Sequence, residues 1–411
     1  MKKWLIFICL LLVPTVSLAY SKVVLKYSEF GEILWENSDI DHNSGSLDSS
    51  LIIDKLGHLY LVEGGMLTQY DLSGNERWHD DFTAFNLKTD AEGNYYYINY
   101  YNEIQFIESR SEDNGHRWVK KYEKYYLYDV QVDSDDNIYL IGHIRSEREF
   151  IYNYTIYKYS DSGDLQWKKS FTEENDMPIM AYSMQIKNDQ VLIVGVTESV
   201  EEDITKDMLF IAFHSLEGER LSYVTVDFFN FDLQIIDLND DLIFAWYDIK
   251  KYSADGTLIW SYEFDSLEVM SISVDSENNV LGVGRIVGPS QGDSAIAVFK
   301  LDPNGNMLWE KWYERDYINL KRLLVDSDDN VIVVGYEGRT SGSIPIDTSY
   351  FALKLNPDGE LLWHETYQPF EGYSAFASDA VLDDEDNIYI AGYSYDYTDG
   401  DDDDEPGCGC F

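Results

Sequence analysis

Lys300-Leu301-Asp302-Pro303-Asn304-Gly305-Asn306-Met307-Leu308-Trp309 is the clearest copy of a phrase that runs through the whole chain. Strand-forming residues flank a turn in which proline presets φ, an asparagine or aspartate follows, and glycine supplies the left-handed residue that ends a tight hairpin. Related copies are Lys354-Leu355-Asn356-Pro357-Asp358-Gly359 ending in Trp363, Lys251-Tyr252-Ser253 with Gly256 and Trp260, and Lys158-Tyr159-Ser160 with Gly163 and Trp167. Weaker copies carry Gly31 and Trp35, Gly74 and Trp78, and Gly115 and Trp118, while Gly218 has Ser222 where the tryptophan should stand. The turn glycines recur about every 47 residues, a period that suits a four-stranded propeller blade.

One unit reads from 318 to 367. Ile318 to Val325 is an apolar-rich strand that ends in the turn Asp326-Ser327-Asp328-Asp329-Asn330. Val331-Ile332-Val333-Val334-Gly335 follows, and its unbroken apolar run fits a strand covered on both faces. A loop is expected from Glu337 to Thr348, then a third strand from Phe351 to Leu355 and a fourth from Leu361 to Tyr367. The tryptophan falls on the outermost strand, where Trp35, Trp78, Trp118, Trp167, Trp260, Trp309 and Trp363 can each wedge against the next unit.

The chain ends complete the pattern. The first copy, from about Val23 to Asn37, has only a third and fourth strand; the last, from about Ser374 to Tyr395, has only a first and second. The expected fold is therefore all-β: an eight-bladed β-propeller closed by N-terminal and C-terminal strands that share one blade. Seven blades is the alternative, because the copies at Gly115 and Gly218 are degenerate. A solenoid would leave both ends open and call for polar caps.

Asp383-Asp384-Glu385-Asp386-Asn387-Ile388-Tyr389-Ile390-Ala391-Gly392 and Phe351 to Trp363 resemble the two halves of the bacterial β-propeller repeat often abbreviated SBBP. The Gly-x-x-x-Trp element is similar to the tryptophan-docking motif of quinoprotein-type eight-bladed propellers. The likeness covers nearly the whole chain after residue 19 and implies a fold, not a chemistry. Quinoprotein dehydrogenases of this architecture hold a quinone and calcium on the axis, but their adjacent-cysteine pair has no counterpart between Cys9 and Cys408.

Charge and cysteine content narrow the setting. The 411 residues include 76 acidic and 30 basic side chains, for a net charge of −46. Such a surface repels phosphate backbones, which excludes nucleic acid as an expected partner. Lys2 and Lys3, the apolar run Trp4 to Val13 and the small-residue site Ser17-Leu18-Ala19 read as a signal peptide over 1–19, with no membrane span left after its cleavage. The propeller then occupies 20–397. Residues 398–411 form an acidic tail with too little apolar surface to fold, carrying Cys408 and Cys410, and resembling the spacer and cysteine patch that precede some bacterial surface-sorting segments. No disulfide is available to the body of the chain, so packing must hold it.

Candidate sites are few. Aromatic residues crowd the expected blade-to-blade connections: Trp312, Tyr313 and Tyr317 in one, Tyr367, Phe370 and Tyr373 in another, and Tyr122, Tyr125 and Tyr126 in a third. Trp312, Tyr313, Tyr317, Tyr367 and Tyr373 are the expected binding residues, since flat rings beside carboxylates suit sugars or cationic peptides. Asp133, Asp135, Asp326 and Asp328 lie in oxygen-rich turns that could hold calcium, but they lack the glycine and bidentate glutamate of an EF-hand loop, and Asp and Asn are turn residues in their own right. No catalytic constellation is visible: the histidines are scattered and no Gly-x-Ser-x-Gly element occurs. The reading is an exported, monomeric, non-catalytic propeller without a required cofactor. It would work at the cell surface or outside the cell with a carbohydrate or protein ligand. The alternative is a propeller enzyme, either a quinoprotein-like dehydrogenase or a polysaccharide-active hydrolase or lyase.

Overall fold

The computed structural model describes residues 20–42, 49–63, 66–80, 84–101, 104–123, 125–144, 153–172, 179–201, 204–227, 233–239, 241–286, 294–315, 317–341 and 344–396. The signal segment expected at 1–19 and the tail with Cys408 and Cys410 lie outside the described residues. All regular elements described are strands, and no helix among these residues is long and apolar enough to cross a membrane.

The strands form eight antiparallel sheets of four. In chain order, blade 1 spans 49–80, blade 2 84–122, blade 3 125–171, blade 4 179–227, blade 5 233–263, blade 6 267–315 and blade 7 317–367. Blade 8 is shared: its inner strands are Tyr373–Leu382 and Ile388–Asp396, and its outer strands are Tyr20–Tyr27 and Ile33–His42. Val24 pairs with Ala391 and Leu25 with Ile390, so backbone hydrogen bonds between the two ends of the chain close the ring. That pairing removes two free sheet edges.

The eight-blade count holds because the degenerate copies still fold as blades. In blade 2 the left-handed turn residue is Asn114, at φ 63°, and not Gly115. Asparagine tolerates this conformation through its short polar side chain. The shift restores the four-residue spacing to Trp118. In blade 7 the expected loop at Glu337–Thr348 is mostly a continued β-ribbon, with pairing out to Ser341 and Ile344.

Each blade grips the next through its outermost strand. The indole N–H groups of Trp35, Trp78, Trp118, Trp260, Trp309 and Trp363 donate to the carbonyls of Leu72, Glu112, Asp161, Pro303, Pro357 and Glu29 at 2.7–3.0 Å. Each acceptor sits two residues before the left-handed residue of the next blade's outer hairpin. The ring plane lies on that residue: a Cβ on Gly305 would stand 2.7 Å from Trp260 Cδ2, so a side chain there would displace the indole. Trp167 packs on Gly218 in the same way, but its Nε1 has no acceptor among the described residues, and the Leu216 carbonyl accepts from Tyr139 and Lys158 instead. At the joint between blades 4 and 5, Val224 covers Gly256 and Ser222 donates to Ala254 O.

The core lies between blades. Leu281 and Val283 of blade 6 pack with Val331, Val333 and Leu353 of blade 7, and the other clusters likewise bridge neighbours. Second strands are therefore covered on both faces, which is why their sequences are continuously apolar.

Candidate functional site

Strand alternation places the tight hairpins of every blade on one face of the ring and the remaining connections on the other. The hairpin face is already committed to structure. Asp326 accepts the backbone N–H groups of Asp328 and Asn330 at 3.0 and 2.8 Å, the Asn330 side chain at 2.9 Å and the Lys354 ammonium at 2.7 Å. Asp133 likewise accepts from Asp135, Asn137 and Tyr139. Lys300 with Asp275, Lys251 with Asp237 and Lys26 with Asp383 repeat the buried pair. Burial pushes the carboxyls of Asp237, Asp275 and Asp383 up, but their lysine, asparagine or amide partners outweigh it and hold all three below the usual carboxylate range. At Asp133 and Asp326 amides and an ammonium already hold lone pairs that a calcium ion would need, while the carboxylates of Asp135 and Asp328 are exposed. Among the described residues no group of three or more His, Cys, Asp or Glu could hold a metal ion.

The aromatic residues singled out in the sequence do not converge. Trp312 and Tyr313 belong to the outermost strand Met307–Arg315 of blade 6, and not to a loop. Trp312 is half-exposed at the rim, where its indole donates to Glu310 Oε2 at 3.1 Å, and Tyr313 packs on the core between blades 6 and 7. Tyr317 opens the innermost strand of blade 7, 6.0 Å from the Tyr336 ring. Tyr367 ends the outermost strand and bonds Glu36, while Tyr373 opens the innermost strand of blade 8 beside Phe370. In the third group, Tyr122 is buried in the core between blades 2 and 3, and Lys168 donates to the Tyr125 hydroxyl. Packing dispersed them: strand alternation sends neighbouring residues to opposite faces of a sheet.

The innermost strands bring a different set together. Their pairing slips just before Asp129, Ser183, Ser271, Arg322 and Asp379, and also between Phe85 and Lys88. A bulge re-aims the following side chain, here toward the next blade and the axis. Asp379 accepts the N–H of Leu51 in blade 1 at 2.9 Å, Asp129 that of Met184 in blade 4 at 2.9 Å, and Ser271 that of Leu323 in blade 7 at 3.1 Å. Arg322 of blade 7 holds Asp379 of blade 8 through Nε at 2.6 Å and Nη2 at 3.4 Å. These bonds stitch the inner ring together. Burial pushes the Asp129 carboxyl up, opposed by its bond from Met184 and by the charge of Lys88.

Inside that ring lies a cavity of about 650 Å³, lined by Ser50, Asn86, Lys88, Gln105, Tyr128 and Arg322 among others. These residues come from blades 7, 1, 2 and 3, with Asp379 of blade 8 completing the arc behind Arg322. The Tyr128 ring stacks on His143 at 5.1 Å and meets Tyr182 edge-on at 6.4 Å. Ser50 and the Arg322 side chain are exposed into the cavity. A second cavity of about 650 Å³ at the joint of blades 6 and 7 is walled by Lys300, Trp309 and Pro357, already part of the docking machinery.

The axial set was missed in the sequence, although a signal for it exists. Ser50, Asn86, Asp129, Ser271, Arg322 and Asp379 each stand four residues before the first aspartate of an inner hairpin and interrupt an otherwise apolar strand.

No family model matches the chain, and no curated protein is similar to it in sequence. Solved structures do match. The C-terminal WD40 domain of Sif2 shares 13% identity with a TM-score of 0.52, over 77% of this chain and 87% of that domain. A prolyl oligopeptidase B from Galerina marginata, solved with a bound 35mer substrate, shares 8% identity with a TM-score of 0.50, over 85% of this chain and 55% of the enzyme. At such identities the likeness concerns the fold alone. Ring closure, blade number and these likenesses agree: the chain is an eight-bladed β-propeller.

Proposed function

We propose that this protein is an exported, monomeric, non-catalytic binding module of the SBBP-like kind, and that it takes a carbohydrate in its axial cavity. The observation that carries the reading is the make-up of that cavity: Ser50, Lys88 and Arg322, polar side chains from three blades, line it together with Tyr128. A concave site with hydrogen-bonding groups drawn from several blades suits the hydroxyls of a sugar. The non-catalytic part is supported by the state of the two carboxylates nearest the cavity. Asp129 and Asp379 both accept backbone amides across a blade joint, so both serve to hold neighbouring blades together.

The test is a glycan array on the full chain, followed by melting-temperature shifts with any glycan retained. Binding to a glycan that is lost on Tyr128→Ala supports the reading. Retention of peptides but no glycan would replace carbohydrate by protein as the ligand class.

A further inference from the structure

We propose that the outer rim of blades 4 to 8 is a docking surface for a partner protein, and that it takes a segment with an apolar face and basic side chains. The inference concerns a second surface and does not depend on what the axial cavity binds.

The outermost strand of every blade carries one extra residue. Its pairing with the third strand slips by one just before the docking position, and the residue skipped is a bulge. In blades 1, 2 and 3 that residue is Arg77, Arg117 and Gln166; in blades 4 to 8 it is Leu221, Ile259, Leu308, Leu362 and Leu34. The polar three are spent inside the protein. Arg77 reaches Gln69 at 2.8 Å and Asp113 at 3.1 Å, Arg117 reaches Tyr96 at 2.9 Å and Asp161 at 3.2 Å, and Gln166 reaches Asn137 at 2.9 Å. The aliphatic five are 47–54% exposed and belong to none of the clusters between blades. One exposed leucine needs no explanation. Five at one structural position in consecutive blades, with polar residues at that position in the other three, form an arc that points to a partner.

Charge says which partner. The outermost strands of blades 5, 7 and 8 contain no lysine or arginine, whereas those of blades 2 and 3 carry Arg117, Lys120, Lys121, Lys168 and Lys169. Along the aliphatic arc the exposed charges include Asp255, Glu263, Glu310, Asp358, Glu365 and Glu32. Such a rim repels anionic lipid headgroups and attracts a cationic surface.

The joint of blades 6 and 7 gives the arc a recess. The cavity of about 650 Å³ there is lined by Leu308, Trp309 and Pro357 together with Glu277, Asp329 and Asp358. Its own cation, Lys300, is held by Asp275 at 2.8 Å. Asp329 is spent on Ser276, but Glu277 and Asp358 are exposed, and the Asp358 carboxylate makes no ion pair or hydrogen bond among the described residues. An aliphatic wall beside carboxylates fits a lysine or arginine, whose methylene stem packs on Leu308 while its charged head meets the acids.

The experiment uses the full chain and fluorescence anisotropy at physiological salt. The probe is a helical peptide of about 18 residues with leucine on one face and lysine on the other, carrying a photo-crosslinking group. Vesicles of phosphatidylcholine, with and without phosphatidylserine, are the second probe. The expected result is that the peptide binds and crosslinks to blades 4 to 8, and that Leu308→Ser with Leu362→Ser weakens it about tenfold. Leu165→Ser, at a leucine 53% exposed on blade 3, should leave binding unchanged. Asp358→Lys, at an exposed turn position, should also weaken binding, and it decides the matter if the leucine variant melts lower than the parent. Equal binding by all variants, or crosslinks spread evenly round the ring, would mean that only the overall charge attracts the peptide, and it overturns the docking arc. Vesicle binding that is lost in the leucine variant, with no peptide binding, overturns a protein as the occupant.

Discussion

Trp363, on the outermost strand of blade 7, donates its indole N–H to the carbonyl of Glu29 at 3.0 Å, across 334 residues of sequence. The ring lies over Gly31, whose Cβ, if present, would stand 3.0 Å from Trp363 Cδ2. Lys354 donates to the same carbonyl at 3.2 Å. This joint couples the last complete blade to the N-terminal strands, so the two ends of the chain depend on it. Trp363→Ala should cost about 2 to 3 kcal/mol, below the full value for a buried tryptophan because the ring is only half-buried. Trp312→Ala, at the exposed rim, should change stability by less than about 0.5 kcal/mol. Urea unfolding of the two variants checks the contrast, and equal losses would remove the special role of the joint.

Lys354→Met should destabilise by about 3 kcal/mol, because it leaves the Asp326 carboxylate buried without its ammonium. Adding Asp326→Asn should recover part of that loss. An amide oxygen still accepts the N–H groups of Asp328 and Asn330, and no charge is left stranded. A double-mutant cycle in urea measures the coupling.

Acid should weaken the fold through two histidines. Burial lowers His143 to about 4, and burial with the nearby charges of Arg220 and Lys169 lowers His214 to about 3. An unfolded imidazole takes its proton near 6.5, so between those values the unfolded chain binds more protons and stability falls as pH drops. At about 1.4 kcal/mol per pH unit, each ring contributes a loss on the order of 3 kcal/mol by about pH 4. Asp129 works the other way, since its raised carboxyl lets the folded state take up a proton first. His143→Phe keeps a ring against Tyr126 and Tyr128 and should flatten the decline between pH 6.5 and 4. An unchanged slope in thermal melts across that range would show that His143 is not responsible.

Calcium should leave the melting temperature unchanged. Asp133 and Asp326 already accept amide and ammonium donors, and a cation would have to displace them. Melts with millimolar calcium and with a chelator should agree within about 1 °C; a larger rise with calcium would reveal binding to the folded state.

Much of this architecture was readable residue by residue. Asn356-Pro357-Asp358-Gly359 announces its hairpin because proline, asparagine and glycine act on backbone angles within four residues. Leu361 to Tyr367 came out with the bounds expected for it, and the half-repeats at the two termini predicted the shared blade. The blade 2 turn was read one residue late, since a glycine at 115 is a louder signal than an asparagine at 114 that does the same work. The ribbon at Glu337–Thr348 was read as a loop because its polar residues pair as an extension beyond the covered part of the blade.

The chain alone decided the repeat, the turn chemistry and the closure, because these depend on neighbours in sequence and on the pairing of half-units. Only the folded ring decided where a ligand could bind. Bulges on separate innermost strands re-aim Asp129, Arg322 and Asp379, which bond across blade joints, while Trp312 and Tyr313, adjacent in sequence, part to opposite faces of their sheet. Local order sets which strands form; the joining of distant blades around an axis sets which side chains share a cavity.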